Sequence, residues 1–215
     1  YTHLFFDCDG VILNSNKIKT DAFYKLAIKY GEREANELVS YHLKNGGISR
    51  YNKIKYFNKF ILNNTDNSIN ESLVKEYSNI LKKNLLKADI EKIIYKIKKY
   101  FPYSKVAVIS GSDQEELRWL FREKKIEHLF NYGIYGSPRN KIEILKTLFS
   151  EFSGKEQSIF IGDSKYDFEV SKKYNMDFAF IYEWTDLEDW RLFVNINDLN
   201  AYKNVSTFFD LYKRI

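Results

Sequence analysis

The chain has 215 residues, 44% of them hydrophobic and 29% charged, with few glycines and prolines, which excludes a disordered or low-complexity polymer and allows one domain plus an insertion. Its formal charge of +5 comes from lysines scattered along the chain. Without a recognition motif among them they exclude a nucleic-acid surface and read as solvated faces, or as a mild field for an anionic small molecule.

In chain order, the first predicted strand covers residues 3–9 and ends in Asp7-Cys8-Asp9-Gly10. Side chains alternate along a strand, so Asp7 and Asp9 project together while Cys8 faces the opposite side as a buried structural thiol. Gly10 lets the backbone turn out of the strand. Two carboxylates this close stay ionised only beside a cation, or with one of them protonated. That arrangement suits one acid as nucleophile and metal ligand and the other as acid/base. The alternative is an Asp-rich turn without chemistry. A single cysteine excludes an internal disulfide and fits a reducing cytoplasm. His3, His42 and His128 have no metal-ligand spacing. No apolar run is long enough to span a bilayer and no signal peptide precedes the first strand, so the expected location is cytoplasmic.

Amphipathic spacing predicts helices over 17–30, 32–44, 51–62 and 69–86, with a polar loop at 63–68. Residues 88–100 are expected to return to the core. Strands follow at 105–110, 130–135, 158–162 and 177–181, separated by helices near 113–124, 139–152 and 165–174. A short strand is expected near Phe193–Ile196, and a closing helix over Val205–Ile215 with Phe208, Phe209 and Tyr212 inward. Alternation of this kind predicts an α/β fold, a doubly wound parallel sheet with right-handed crossovers. Three strand ends carry further candidates. Ser110 closes the second strand, ahead of Gly111 and Ser112; taken alone, it is an ordinary helix cap. In Gly136–Lys141 a cation, Lys141 or Arg139, opens a helix, where the helix dipole disfavours it unless it faces an anion. Asp163 ends the 158–162 strand, and Asp167 lies one helical turn further on.

These segments together resemble the haloacid dehalogenase (HAD) superfamily: DCDGV at 7–11, Ser110, Lys141 and GDSKYD at 162–167 match its four motifs in order. The resemblance implies a Rossmann-like core of residues 1–13 and 88–215 with an inserted helical cap, residues 14–87. It implies Asp7 as nucleophile, forming an aspartyl-phosphate, and Asp9 as general acid/base. Mg²⁺ would be held by Asp7, Asp163 and the Asp9 carbonyl, with Asp167 serving the metal's water shell or orienting Lys141. Ser110 and Lys141 would grip the phosphoryl oxygens, helped by backbone near Asp9, Gly10, Gly111 and Ser112. Asp at position 9 points to phosphatases and phosphomutases within the superfamily.

Within the predicted cap, Lys44-Asn45-Gly46-Gly47-Ile48-Ser49-Arg50 resembles the substrate-contacting loop of the phosphoglycolate phosphatase and beta-phosphoglucomutase branch. By that resemblance Arg50 reaches a polar or anionic group of the substrate. The bland alternative is a turn whose Ser49 caps the next helix and whose Arg50 is solvated. Asn14, Asn16 and Lys17 are further candidates for the pocket. The leading expectation is a Mg²⁺-dependent phosphatase acting on a small phosphorylated metabolite, with no nucleic-acid, membrane or protein partner. A resemblance to enzymes of bacterial surface-polysaccharide synthesis suggests a sugar, polyol or amino-alcohol phosphate. A phosphosugar mutase and a catalytically silent binding module are the competing readings.

Overall fold

Short strands whose residues are apolar on both sides make a sheet that must be covered on both faces. A computed structural model, describing residues 1–152 and 157–212, has this arrangement. Strands β1 (His3–Phe6), β2 (Lys105–Asp113), β3 (Gly133–Ser137), β4 (Ser158–Gly162), β5 (Asp177–Ile181) and β6 (Asn200–Tyr202) form one sheet. Its order is β3-β2-β1-β4-β5-β6 and every pairing is parallel. Leu4 and Phe6 enter one apolar layer with Val106, Val108, Ile159 and Ile161, whereas Phe5 joins Ala107, Ile109 and Phe160 in the other. This is the expected doubly wound, Rossmann-like α/β core. Strand order reverses at β1, and ligands of such sheets bind beyond the carboxyl ends of the strands at that point.

Between β1 and β2 the chain is helical: α1 (Asn16–Ala27), α2 (Glu32–Lys44), α3 (Arg50–Tyr56) and α4 (Ile69–Leu85). A wider turn, Phe57–Ile61, continues α3. Residues three or four apart on these helices, among them Phe23 and Leu26, Ala35 and Leu38, and Leu73, Tyr77 and Leu81, are buried together. The helical stretch leaves and rejoins the sheet through a paired stem. Asn14 N–H donates to the Asp89 carbonyl at 3.0 Å, Glu91 N–H donates to that of Ile12 at 2.9 Å, and Leu13 bridges antiparallel to Ile90.

The short helix α5 (Ile97–Tyr100) leads into β2, and its Ile97 is buried. Helices α6 (Gln114–Glu123), α7 (Lys141–Phe149) and α8 (Lys165–Lys173) each begin directly after the carboxyl end of a strand. Side-chain caps fix their starts: Asp113 accepts from Glu116 N–H at 2.9 Å, and Asn140 and Ser164 form capping boxes with Glu143 and Asp167.

One predicted element is corrected. Residues 193–196 are not a strand but the end of helix α9 (Trp190–Ile196), and β6 follows it. The run Leu-Phe-Val looks strand-like, yet only one helical side is used. Phe193 packs on Phe168 and Phe180, while Leu192 and Ile196 are exposed. In α10 (Val205–Tyr212) Phe208 and Phe209 are buried, but the Tyr212 side chain and residues 213–215 lie outside the described residues.

Candidate active site

The chain turns sharply after β1 because Gly10 has φ +77°, and a Cβ there would sit 2.1 Å from Asp163 Oδ2. Only glycine allows the first loop to approach the end of β4 this closely. Asp7 and Asp9 both line the resulting cleft, a cavity of about 610 Å³, and Cys8 is buried in the core. Asp7 Oδ1 accepts the Cys8 N–H at 2.8 Å and lies 3.0 Å from Lys141 Nζ. Asp9 Oδ1 accepts from Ser15 Oγ at 2.5 Å, and its Oδ2 accepts from Ser112 Oγ at 2.8 Å and is paired with Lys19.

Environment divides the two aspartates. Burial pushes Asp7 up to about 7; Lys141 opposes this, while Asp167 and Asp9 add to it. Burial pushes on Asp9 too, but the Lys19 charge and the hydrogen bonds from Lys19, Ser15 and Ser112 outweigh it. Asp9 is therefore lowered to about 2 and stays a carboxylate.

Beneath Asp7, carboxylate oxygens of Asp7, Asp163 and Asp167 lie within 4.8 Å of one another, all three groups buried. Lys141, only 1% exposed, bonds Asp167 Oδ1 at 2.5 Å as well as Asp7. Arg139 is exposed, so Lys141 is the buried cation of the two candidates. The other Asp167 oxygen accepts from Ser164 Oγ at 2.7 Å. Asp167 thus bonds both Lys141 and the start of α8. Asp163 accepts from Asn16 Nδ2 at 2.9 Å. Burial, then Asp7 and Asp167, push its carboxyl well above the usual range. One lysine among three buried acids leaves an excess of negative charge and hard oxygen donors. Such a donor set fits a divalent cation of the Mg²⁺ type between Asp7 and Asp163.

The end of β2 supplies the third wall. Its register against β3 shifts between Ile109 and Asp113, and Ser110 is fully buried, its Oγ accepting the Ser112 N–H at 3.1 Å. Gly111 and Ser112 line the cleft. A Cβ on Gly111 would lie 2.3 Å from the Gly47 carbonyl, so the Gly46–Ile48 turn rests directly on this loop.

The helical side differs from expectation. Asn14 is exposed and Lys17 pairs with Asp21 in solvent; of the three candidates there only Asn16 lines the cleft, together with Lys19. Arg50 lines the cleft but is not solvated. Its guanidinium forms two hydrogen bonds to Glu116 of α6, one at 2.9 Å, donates to Ser78 Oγ at 2.9 Å and stacks over Tyr77. Ser49 caps α3, accepting the Asn52 N–H at 3.4 Å. Lys19, His42, Lys53 and Asp186 also line the cleft and were not anticipated. Only Lys19 had a local signal, lying one turn beyond Asn16 on the helix that follows the first motif.

Comparison with solved structures gives the same architecture over nearly the whole chain. A predicted phosphatase from Clostridium acetobutylicum superposes with a TM-score of 0.74 at 16% identity, covering 100% of this chain and 99% of that one. A haloacid dehalogenase-like hydrolase from Streptococcus pneumoniae gives 0.65 at 20% identity, covering 96% of each. A predicted phosphoglycolate phosphatase from Haemophilus somnus gives 0.67 at 14% identity, covering 84% and 85%. At these identities the likeness is one of fold. A comparison with curated proteins gives no match. The model of the haloacid dehalogenase-like hydrolases matches residues 4–181, from Leu4 in β1 to the end of β5, and so includes Asp7, Asp9, Ser110, Lys141, Asp163 and Asp167. With sheet, strand-end acids and buried lysine in that order, the chain belongs to the haloacid dehalogenase-like hydrolase family.

Proposed function

We propose that the protein is a Mg²⁺-dependent phosphatase that hydrolyses a small organic phosphomonoester through an aspartyl-phosphate on Asp7. The observation that carries this reading is the contrast between Asp7, which faces Lys141 inside a buried acid cluster, and Asp9, which is held ionised by Lys19. Asp7 and Asp163, with the Asp9 carbonyl, would hold the cation; when bound, it supplies positive charge against the phosphoryl oxygens and keeps Asp7 ionised. A carboxylate of Asp7 attacks phosphorus in line while the bond to the leaving alcohol breaks. Lys141 and the Ser110–Ser112 loop meet the charge on the phosphoryl oxygens. Asp9 must take up a proton before it protonates the alcohol, and the incoming phosphoryl charge beside it favours that uptake. Having given the proton up, Asp9 is again the carboxylate that draws a proton from the water attacking the phospho-aspartate. Residues 14–87 act as a cap that excludes other water.

The test is release of inorganic phosphate from p-nitrophenyl phosphate and a panel of small phosphomonoesters. Activity should require Mg²⁺ and vanish with EDTA. Turnover indifferent to chelation would sink the metal assignment. Transfer of phosphate back to the same sugar without release would identify a mutase.

Arg50 enters this reading as a tie between α3 and α6. Arg50→Ala would strand Glu116, whose side chain is only 11% exposed. Breaking a buried pair costs about 3–5 kcal/mol, so the melting temperature should drop by about 10 °C. Turnover should fall by a similar factor on p-nitrophenyl phosphate and on larger esters. A loss confined to larger esters would instead make Arg50 a substrate contact.

A further inference from the structure

Two of the cations lining the cleft are neutralised by the protein itself, half-buried Lys19 by Asp9 and buried Arg50 by Glu116. Lys53 of α3 is not. It is 3% exposed, and its ammonium hydrogen-bonds only to His42, at 2.7 Å to Nδ1 and 3.4 Å to the carbonyl oxygen, with the Phe23 ring 5.9 Å away. Among the described residues no carboxylate lies within ion-pair distance of it; Asp9 and Asp186 act on it only from further away. Burying an ammonium without a counter-charge is costly. Burial, followed by the Lys19 charge, pushes Lys53 down to about 7.

His42 is built to hold that ammonium in place without neutralising it. Burial, then Lys53 and Lys19, keep the ring well below its usual pKa, hence neutral. Nδ1 accepts from Lys53, so Nε2 carries the proton and points it at Thr20 Oγ, 3.1 Å away. Thr20 donates onward to the Asn16 carbonyl at 3.2 Å. Phe23 and Tyr77, stacked 4.2 Å apart, line the same cleft and offer an apolar wall to a short carbon chain.

We propose that Lys53, oriented by His42, is the specificity-determining residue for a second anionic group on the substrate, remote from the phosphoryl group. The substrates are then short-chain phosphomonoesters ending in a carboxylate or a second phosphate, not neutral polyol or amino-alcohol phosphates. An amine at that end would meet Lys53 as a like charge. The proposal rests on the phosphatase reading for the role of Asp7, but its test does not need turnover.

The experiment is calorimetric binding, in Mg²⁺, of three non-hydrolysable phosphonates of equal chain length ending in carboxylate, phosphonate or hydroxyl. Wild type should bind one or both anion-terminated compounds at least about tenfold more tightly than the hydroxyl-terminated one, as expected for a charge-assisted hydrogen bond. Comparing the two anions tells carboxylate from phosphate. Lys53→Met and Lys53→Gln should shrink the preference to about twofold. Wild type that binds all three alike overturns the proposal, whether or not the variants fold, as does a preference that survives in both folded variants. A Lys53-dependent preference without release of phosphate from the corresponding esters would uphold the subsite and overturn the phosphatase reading.

Discussion

Asp7→Asn is expected to abolish phosphate release while leaving the fold intact. The amide is isosteric and its oxygen keeps the bonds from Cys8 N–H and Lys141, but it does not attack phosphorus. Losing a nucleophile costs on the order of 10⁴-fold or more in turnover, and residual activity within tenfold of wild type would refute the assignment. The same variant has a stability signature in cation-free buffer. The folded-state pKa of Asp7, about 7, lies above its ordinary value of 3.8, so the native state binds the extra proton. This contribution is present at low pH and lost as pH rises through about 7. Asp163 is shifted in the same direction. Wild-type melting temperature should therefore fall by about 5 °C or more between pH 5.5 and 8.5, and Mg²⁺ should recover most of the loss. Asp7→Asn should show a smaller fall and little response to Mg²⁺. A wild-type profile that is flat with pH, or that rises, would mean that the acid cluster carries less charge than its geometry indicates.

Lys141→Met should damage the protein twice. The methionine fills the space but leaves Asp7, Asp163 and Asp167 with no cation among them. Removing one partner of a buried ion pair costs about 3–5 kcal/mol, which corresponds to a drop of about 10 °C or more in melting temperature. Losing a preorganised cation at the phosphoryl oxygens should slow turnover by roughly 10²–10³-fold. Excess Mg²⁺ should restore part of the stability but not the rate, because in the proposed mechanism it does not replace the ammonium that meets the phosphoryl oxygens. A variant as stable and as active as wild type would remove Lys141 from the site.

Local features made much of the sheet and the strand-end acids legible. The Asp7–Gly10 turn, Ser110, and Asp163 with Asp167 each follow an apolar run whose length marks a strand, and the parallel order follows from helices lying between strands. What failed depended on helical phase or on distant partners. On α1 the cleft side carries Asn16, a candidate from the sequence, and Lys19, which was not one, and leaves Lys17 in solvent. Successive residues on a helix point about 100° apart, so a neighbour of a cleft residue faces away from it. Arg50 finds Glu116 66 positions along the chain, and Lys53 meets His42 from a different helix. No spacing rule announces either pair. Position in the turn left Lys141 and Arg139 open, the family resemblance chose Lys141, and in the structure Lys141 is the buried one of the two.

The hydrogen bond between Asn14 and Asp89 makes residues 15–88 a loop whose two ends meet. Closure entropy of such a loop grows only logarithmically with its length, by about 0.6 kcal/mol for each doubling. No strand lies inside it, so lengthening, trimming or exchanging it alters no register of the sheet. The half of the pocket carrying His42, Arg50 and Lys53 therefore stands on a segment whose length the sheet does not set, joined to the core by side-chain ties such as Arg50 to Glu116, whereas the acids stand on the strand ends themselves.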